Sequence, residues 1–269
     1  MHGVQQGHHY RYIAGSRGAE MPQPSRLVRV DSDVWIVEGP IVSFYGFPYP
    51  TRSVIVCLPN GTLWVWSPIP LDDELMTEVS GLGTVAHLVS PNKLHHLGLA
   101  DWRAAFPAAK LWGMPSTVRK CRDLCFDGVL DDTPPVAWRG TLEHVQFRGS
   151  PLLEEMMFLH RPSRTVLLAD LSEALSHDFL ARHWAPWQRL IAHLWSITEA
   201  APKAPLEVRW STIRRCEARA AVQRLLAYDP EKVVMAHGVW QRCHGHAFLE
   251  RTFSWLLPEP PHLMGEEHQ

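Results

Sequence analysis

The stretch Thr84-Val85-Ala86-His87-Leu88-Val89-Ser90-Pro91-Asn92-Lys93-Leu94-His95-His96-Leu97-Gly98 decides how this sequence is read. Residues 84–89 form an apolar run with the length and β-branched content of a buried strand. Ser90-Pro91-Asn92 stops that strand, because Pro lacks the N–H a ladder needs and Asn favours turns. A lysine and two adjacent histidines then follow on the loop. Metal-capable side chains just beyond a buried strand are how α/β folds build their sites.

The same pattern recurs along the chain. Phe158-Leu159-His160 runs into Arg161-Pro162-Ser163-Arg164, Leu167-Leu168-Ala169 into Asp170-Leu171, and Val234-Met235-Ala236 into His237-Gly238. Residues 34–37 and 53–58 read as earlier strands. Pro59-Asn60-Gly61 is a tight hairpin turn leading into a returning strand over 62–66. Helical spacing is present over 72–80, 99–106, 115–124, 213–228 and 247–257, and over 179–198 with a break at Pro186. Strands come in two batches, each followed by helices. The expected architecture is a single α/β domain over 27–258, a four-layer αββα sandwich with two mixed sheets face to face and helices outside. Residues 1–26 are expected to be a flexible leader and 259–269 a flexible tail. The Trp-rich helical insert over 179–210 is the candidate interface if the chain forms oligomers.

Composition narrows the function. Of 269 residues, 46% are hydrophobic and 20% charged, which is enough apolar material for a core and excludes dominant disorder. A net charge of -2 argues against a general electrostatic grip on nucleic acid or on anionic lipid. No apolar run approaches the roughly 18 residues of a membrane span. The five cysteines are odd in number and fit no zinc-ribbon spacing, so they read as reduced thiols of a cytoplasmic protein. No basic segment leads into an apolar stretch at the start, so no secretory signal is expected.

Each polar strand end has a plain reading when taken alone. His95 and His96 read equally as surface loop histidines, His160 as a satisfied core histidine, Asp170 as a helix cap and His237 as a simple strand end. A metal site needs several of these groups to converge, with imidazole nitrogen and carboxylate oxygen as donors.

In their order, these segments resemble a divergent member of the metallo-β-lactamase superfamily, from a "domain of unknown function" branch. The resemblance spans about 28–257. It is strongest over 87–115, where a strand, a His-His-x-Gly turn, a helix and Phe106-Pro107-x-Ala109-Lys110-Leu111-Trp112 follow one another. Arg161-Pro162-Ser163-Arg164-Thr165 running into Ala169-Asp170-Leu171 resembles the later ligand segments, and Ala236-His237-Gly238 the final one. The superfamily turn reads His-x-His-x-Asp-His-x-Gly. Here Pro91 and Lys93 replace the first two histidines, His95 replaces the aspartate, and His96 keeps the last histidine. Ser67-Pro68 stands where an early aspartate is expected.

The resemblance therefore implies one lost metal position and one retained. It implies a mononuclear site of His95, His96, Asp170 and His237, with His160 as a fifth ligand or a neighbour. The ion is one divalent metal, zinc first, with iron or manganese as alternatives. The implied activity is hydrolysis of a small ester, lactone, amide or thioester by a metal-bound hydroxide. Lys93 or Arg164 would hold the charge of an anionic small-molecule substrate, with Lys93 replacing the lost metal electrostatically. Two alternatives stay open: a non-catalytic binding protein stabilised by its metal, and an iron-dependent oxidoreductase. Glu155 is left open between a hydrogen-bond partner of a ligand histidine and a solvated strand edge.

Overall fold

The computed structural model describes residues 10–12 and 25–257. In chain order its first half gives β1 (Tyr10–Tyr12), β2 (Val28–Asp31), β3 (Val34–Phe44), β4 (Phe47–Cys57), β5 (Thr62–Trp66), α1 (Asp73–Leu82), β6 (Thr84–Ser90), α2 (Leu99–Ala105), β7 (Lys110–Gly113), α3 (Pro115–Lys120) and β8 (Gly128–Val129). The second half gives β9 (Leu142–Phe147), β10 (Glu155–His160), β11 (Thr165–Leu168), α4 (His177–His183), α5 (Pro186–Trp195), β12 (Ile197–Thr198), β13 (Ala201–Pro202), α6 (Leu206–Ser211), α7 (Arg215–Leu226), β14 (Lys232–Met235) and α8 (Gly245–Thr252).

The strands form two main sheets. One runs β1-β3-β4-β5-β6-β7-β8, with β2 also on β3; it is antiparallel through β5 and parallel from β5 onward. The other runs β14-β11-β10-β9. There β9, β10 and β11 are antiparallel, while β11 and β14 are parallel.

Period-two alternation sends side chains to both faces, and both faces are covered. Leu63 and Val65 of β5 pack with Leu75, Val79 and Trp102 of α1 and α2. Trp64 and Trp66 point the other way, into the space between the sheets, where they meet Phe158, Leu167 and Val234. The Trp64 ring stands edge-on to Phe158, with centroids 5.0 Å apart. On β10, Met157 and Leu159 face Val222 of α7 and Phe248 of α8. The result is the expected four-layer αββα sandwich.

The structure departs from the expected elements in three places. Residues 25 and 26 are already anchored: the Arg26 N–H donates to Glu78, and its guanidinium pairs with Asp72. Tyr10–Tyr12 pair with β3, while the rest of the expected leader and the tail from 259 lie outside the described residues. β3 and β4 are each 11 residues long, because a register shift between Gly39 and Val42 carries the pair past Pro40. The helical stretch expected over 179–198 does break before Pro186, into α4 and α5, but it ends at Trp195, and Ile197–Thr198 form β12 instead. α5 turns Trp187, Leu190 and Leu194 toward solvent, whereas Trp184 is buried. Among the described residues no helix is long and apolar enough to cross a membrane.

Burial of imidazoles gives the fold a defined acid sensitivity. His87 on β6 is 6% exposed and accepts from the Trp112 indole N–H at 3.2 Å. Burial pushes its pKa down to about 4, with Lys110 adding to the effect. Burial also lowers His144 and His160. The unfolded chain binds these protons near pH 6.5, whereas the folded chain resists them. The stability they supply is therefore complete above about pH 6.5 and is lost as pH falls toward 4. For His87 alone the loss is at most about 3 kcal/mol. Urea titrations at pH 7, 6, 5 and 4 should show this decline, and His87→Gln, which keeps an acceptor for Trp112, should flatten it. An unchanged slope in the variant would remove His87 from the account.

Candidate metal centre

Strand direction selects which strand ends meet. β11 and β14 are parallel neighbours, with Leu168 opposite Met235. The residues just beyond them, Asp170 and His237, therefore emerge at the same rim. The loop after β6 brings His95 to that rim from the other sheet. His95 Nε2 lies 3.2 Å from Asp170 Oδ2, and His237 Nε2 lies 3.3 Å from Asp170 Oδ1. The two imidazoles are tilted, with centroids 5.3 Å apart. Among the described residues, these three form the one group whose donor atoms all lie within 4.8 Å of one another.

The far nitrogen of each ring is also held. His237 Nδ1 donates to the Pro50 carbonyl at 2.6 Å. His95 Nδ1 is 2.7 Å from the Ser67 hydroxyl, at the position where an aspartate is absent. A carbonyl oxygen can only accept, so it takes the proton of His237 Nδ1 and leaves Nε2 as the nitrogen that meets the carboxylate, through a shared cation when the ring is neutral or through its own N–H when the ring is protonated. Burial alone would raise the Asp170 carboxyl, but the His95 and His237 rings outweigh it and hold the carboxyl far below the usual range.

Several buried polar groups set this geometry, and sequence reading did not find most of them. Arg52 is 5% exposed and donates to the Met235 and Gly238 carbonyls, which flank His237. Its own charge is met by Glu38. Gly238 follows at φ +91°, where a Cβ would sit 2.1 Å from the Ala174 carbonyl oxygen, so only glycine fits that turn. The Asn92 amide donates to Asp170 at 2.7 Å and to Glu155 at 3.1 Å. Glu155 takes neither expected role. It is fully buried and accepts from the backbone N–H groups of Ala169 and Asp170, fixing the loop that carries the aspartate. Burial and the Asp170 charge raise its pKa.

The remaining expected residues fall elsewhere. His96 is outside the three-residue group; its Nδ1 donates to the Leu94 carbonyl at 3.3 Å. His160 ends β10, which runs antiparallel to β11, and therefore sits opposite Thr165 at the far rim of the sheet. There it bonds Ser163 at 2.7 Å and feels Asp33 and Asp31, so it is neither a ligand nor a neighbour of Asp170. Arg164 lies at the same far rim, in the β10–β11 turn, paired with Asp229 at 2.6 Å, so it cannot hold substrate at this site. Lys93 does reach the site's surroundings. It lines a cavity of about 520 Å³ that also receives Asp170 and His237. Phe44, Phe47, Tyr49 and Trp195 supply aromatic wall.

The donor set fits a divalent metal. Ligands about 2.0–2.2 Å from a tetrahedral zinc stand roughly 3.3–3.5 Å from one another, close to the two N···O separations here. Two imidazoles and a carboxylate suit zinc, and the same set suits non-haem iron(II). With three protein ligands rather than four, a coordination position remains for water or substrate.

No family model and no curated protein matches the sequence. Solved structures do match the fold. A metallo-β-lactamase from Pontibacter korlensis is 17% identical, with a TM-score of 0.57 over 86% of this chain and 97% of that one. One from Erythrobacter litoralis is 12% identical, with a TM-score of 0.58 over 86% and 95%. One from Pseudomonas aeruginosa in a mono-zinc form is 11% identical, with a TM-score of 0.55 over 83% and 91%. The chain has the metallo-β-lactamase fold.

Proposed function

We propose that this chain is a metal-dependent hydrolase of a small ester, lactone, amide or thioester, working at a mononuclear site formed by His95, Asp170 and His237. The observation that carries the reading is the convergence of two imidazole Nε2 atoms on one buried carboxylate, at 3.2 and 3.3 Å, with each ring held from behind by its own hydrogen bond. A cation shared by the three groups satisfies them together. Zinc is the first choice of ion, by the donor set. A divalent ion held there lowers the pKa of its water toward neutrality and polarises a substrate carbonyl.

The protein's own groups support that chemistry. Pro50 and Ser67 orient the two imidazoles, which keeps their Nε2 atoms directed at one point. Lys93 lines the cavity and takes the negative charge of the substrate or of its transition state. The five cysteines are all unpaired, which supports a reducing, cytoplasmic setting.

Metal content tests the reading. Protein purified without added metal should carry about one zinc per chain, lose it to a chelator, and regain with zinc its activity on a panel of aryl esters, lactones and thioesters. Iron in place of zinc would move the assignment to redox chemistry. A protein that takes up no divalent ion would end the proposal. Lys93→Met should keep the metal and weaken inhibition by small carboxylates about tenfold, the scale of one charge-assisted hydrogen bond.

A further inference from the structure

The cavity that receives Asp170 and His237 is lined by groups of both charges. Lys93 is two residues before His95, so it approaches from the His95 side. The Lys120 ammonium donates to the Lys93 carbonyl at 3.2 Å and lines the same cavity. Burial lowers the Lys120 pKa, and the nearby Lys93 charge adds to this. Among the described residues no ion pair is formed by either ammonium. Together they offer two positive charges to a ligand.

Glu173 lines the same cavity. Its carboxyl bonds the Tyr49 side chain, and the Tyr49 ring packs on His237 at 5.5 Å, so Glu173 stands on the His237 side. It is 3% exposed, lines the cavity, and its Oε2 has no hydrogen-bond partner among the described residues. A buried carboxyl oxygen left without a donor is costly, and such groups in native proteins nearly always have a partner. Here the cavity is where a donor can come from. Glu207 adds a second carboxylate at the rim, moderated by Arg209. Tyr49, Phe44 and Trp195 supply the aromatic wall on which an ammonium group is favourably placed. Burial first, then Asp170 and Glu207, raise the Glu173 pKa.

Asp170 and His237 line the same cavity as the two lysines and Glu173. We propose that the substrate is a small zwitterion with a carboxylate held by Lys93 and Lys120, a free amino group held by Glu173, and the scissile bond between them, the pattern of a dipeptide. The placement of the scissile bond rests on the hydrolase reading, whereas the two charged ends do not.

Calorimetric titration tests it, using alanylphenylalanine, its N-acetyl derivative and its C-terminal amide on the protein as purified and again with chelator present. The zwitterion should bind at least about tenfold tighter than either capped form, the scale of one charge-assisted hydrogen bond per end. Glu173→Gln should erase the advantage over the N-acetyl form only. The double variant Lys93→Met, Lys120→Met should erase the advantage over the amide only. Equal binding of the three peptides, or no binding of any, would overturn the proposal from the wild-type protein alone, whatever the variants' stability. A preference that persists in protein unable to take up metal would sink the hydrolase reading and leave this one standing. A metal-loaded protein with no preference would do the reverse.

Discussion

Asp170→Asn is expected to leave the protein folded and to weaken zinc binding by more than about 100-fold. Loss of a group that merely orients a ligand already costs about 10–100-fold, and Asp170 is the single anion of the donor set. The asparagine keeps the shape and a hydrogen-bonding group for the Asn92 amide, which donates at 2.7 Å in the native protein. It removes the charge that both imidazoles face at 3.2 and 3.3 Å. Competition against a chromophoric chelator measures the affinity, and urea unfolding verifies the fold. His96→Ala is the contrasting variant. Its ring lies outside the three-residue group, so zinc affinity should change by no more than a few-fold. If His96→Ala strips the metal while Asp170→Asn retains it, the centre is assembled differently from the arrangement described above.

Glu155→Ala is expected to cost about 3–5 kcal/mol of stability, measured by urea unfolding at neutral pH. The carboxylate accepts three hydrogen bonds inside the protein, from the Ala169 and Asp170 backbone N–H groups and from the Asn92 amide. Alanine leaves the two backbone N–H groups buried and unpaired, at about 1–3 kcal/mol each and partly relieved by water entering the space, while the Asn92 amide keeps its bond to Asp170. Glu155→Gln separates charge from hydrogen bonding. Its NH₂ group must face at least one backbone N–H, donor against donor, so it should also destabilise, by about half as much. A Gln variant as stable as wild type would mean that the carboxyl serves only to fill space.

Much of the layered fold was legible along the chain. Unbroken apolar runs such as 62–66 and 165–169 announce strands covered on both faces, and the structure covers both. The Asn60-Gly61 turn was readable because its backbone conformation favours those residue types; Gly61 sits at φ +77°. The long β3–β4 pair was not readable. Pro40, Pro48 and Pro50 argue against strands locally, and only a register shift and the neighbouring strand make the extension possible. That extension matters, because it delivers the Pro50 carbonyl and Arg52 to His237.

The amino-acid sequence by itself determined the alternation, the turn chemistry and the presence of polar residues at four strand ends, since these depend on neighbours a few positions away. Only the tertiary structure decided which of those ends share a rim. Parallel β11 and β14 bring Asp170 and His237 together, while antiparallel β10 sends His160 and Arg164 to the other side of the sheet. It also chose between adjacent histidines: His95 turns to Asp170 while His96 turns to the Leu94 carbonyl. The physical reason is that a strand's direction and a loop's side-chain orientation are set by contacts made far away in the chain, such as Ser67 on His95 and Arg52 on the carbonyls around His237.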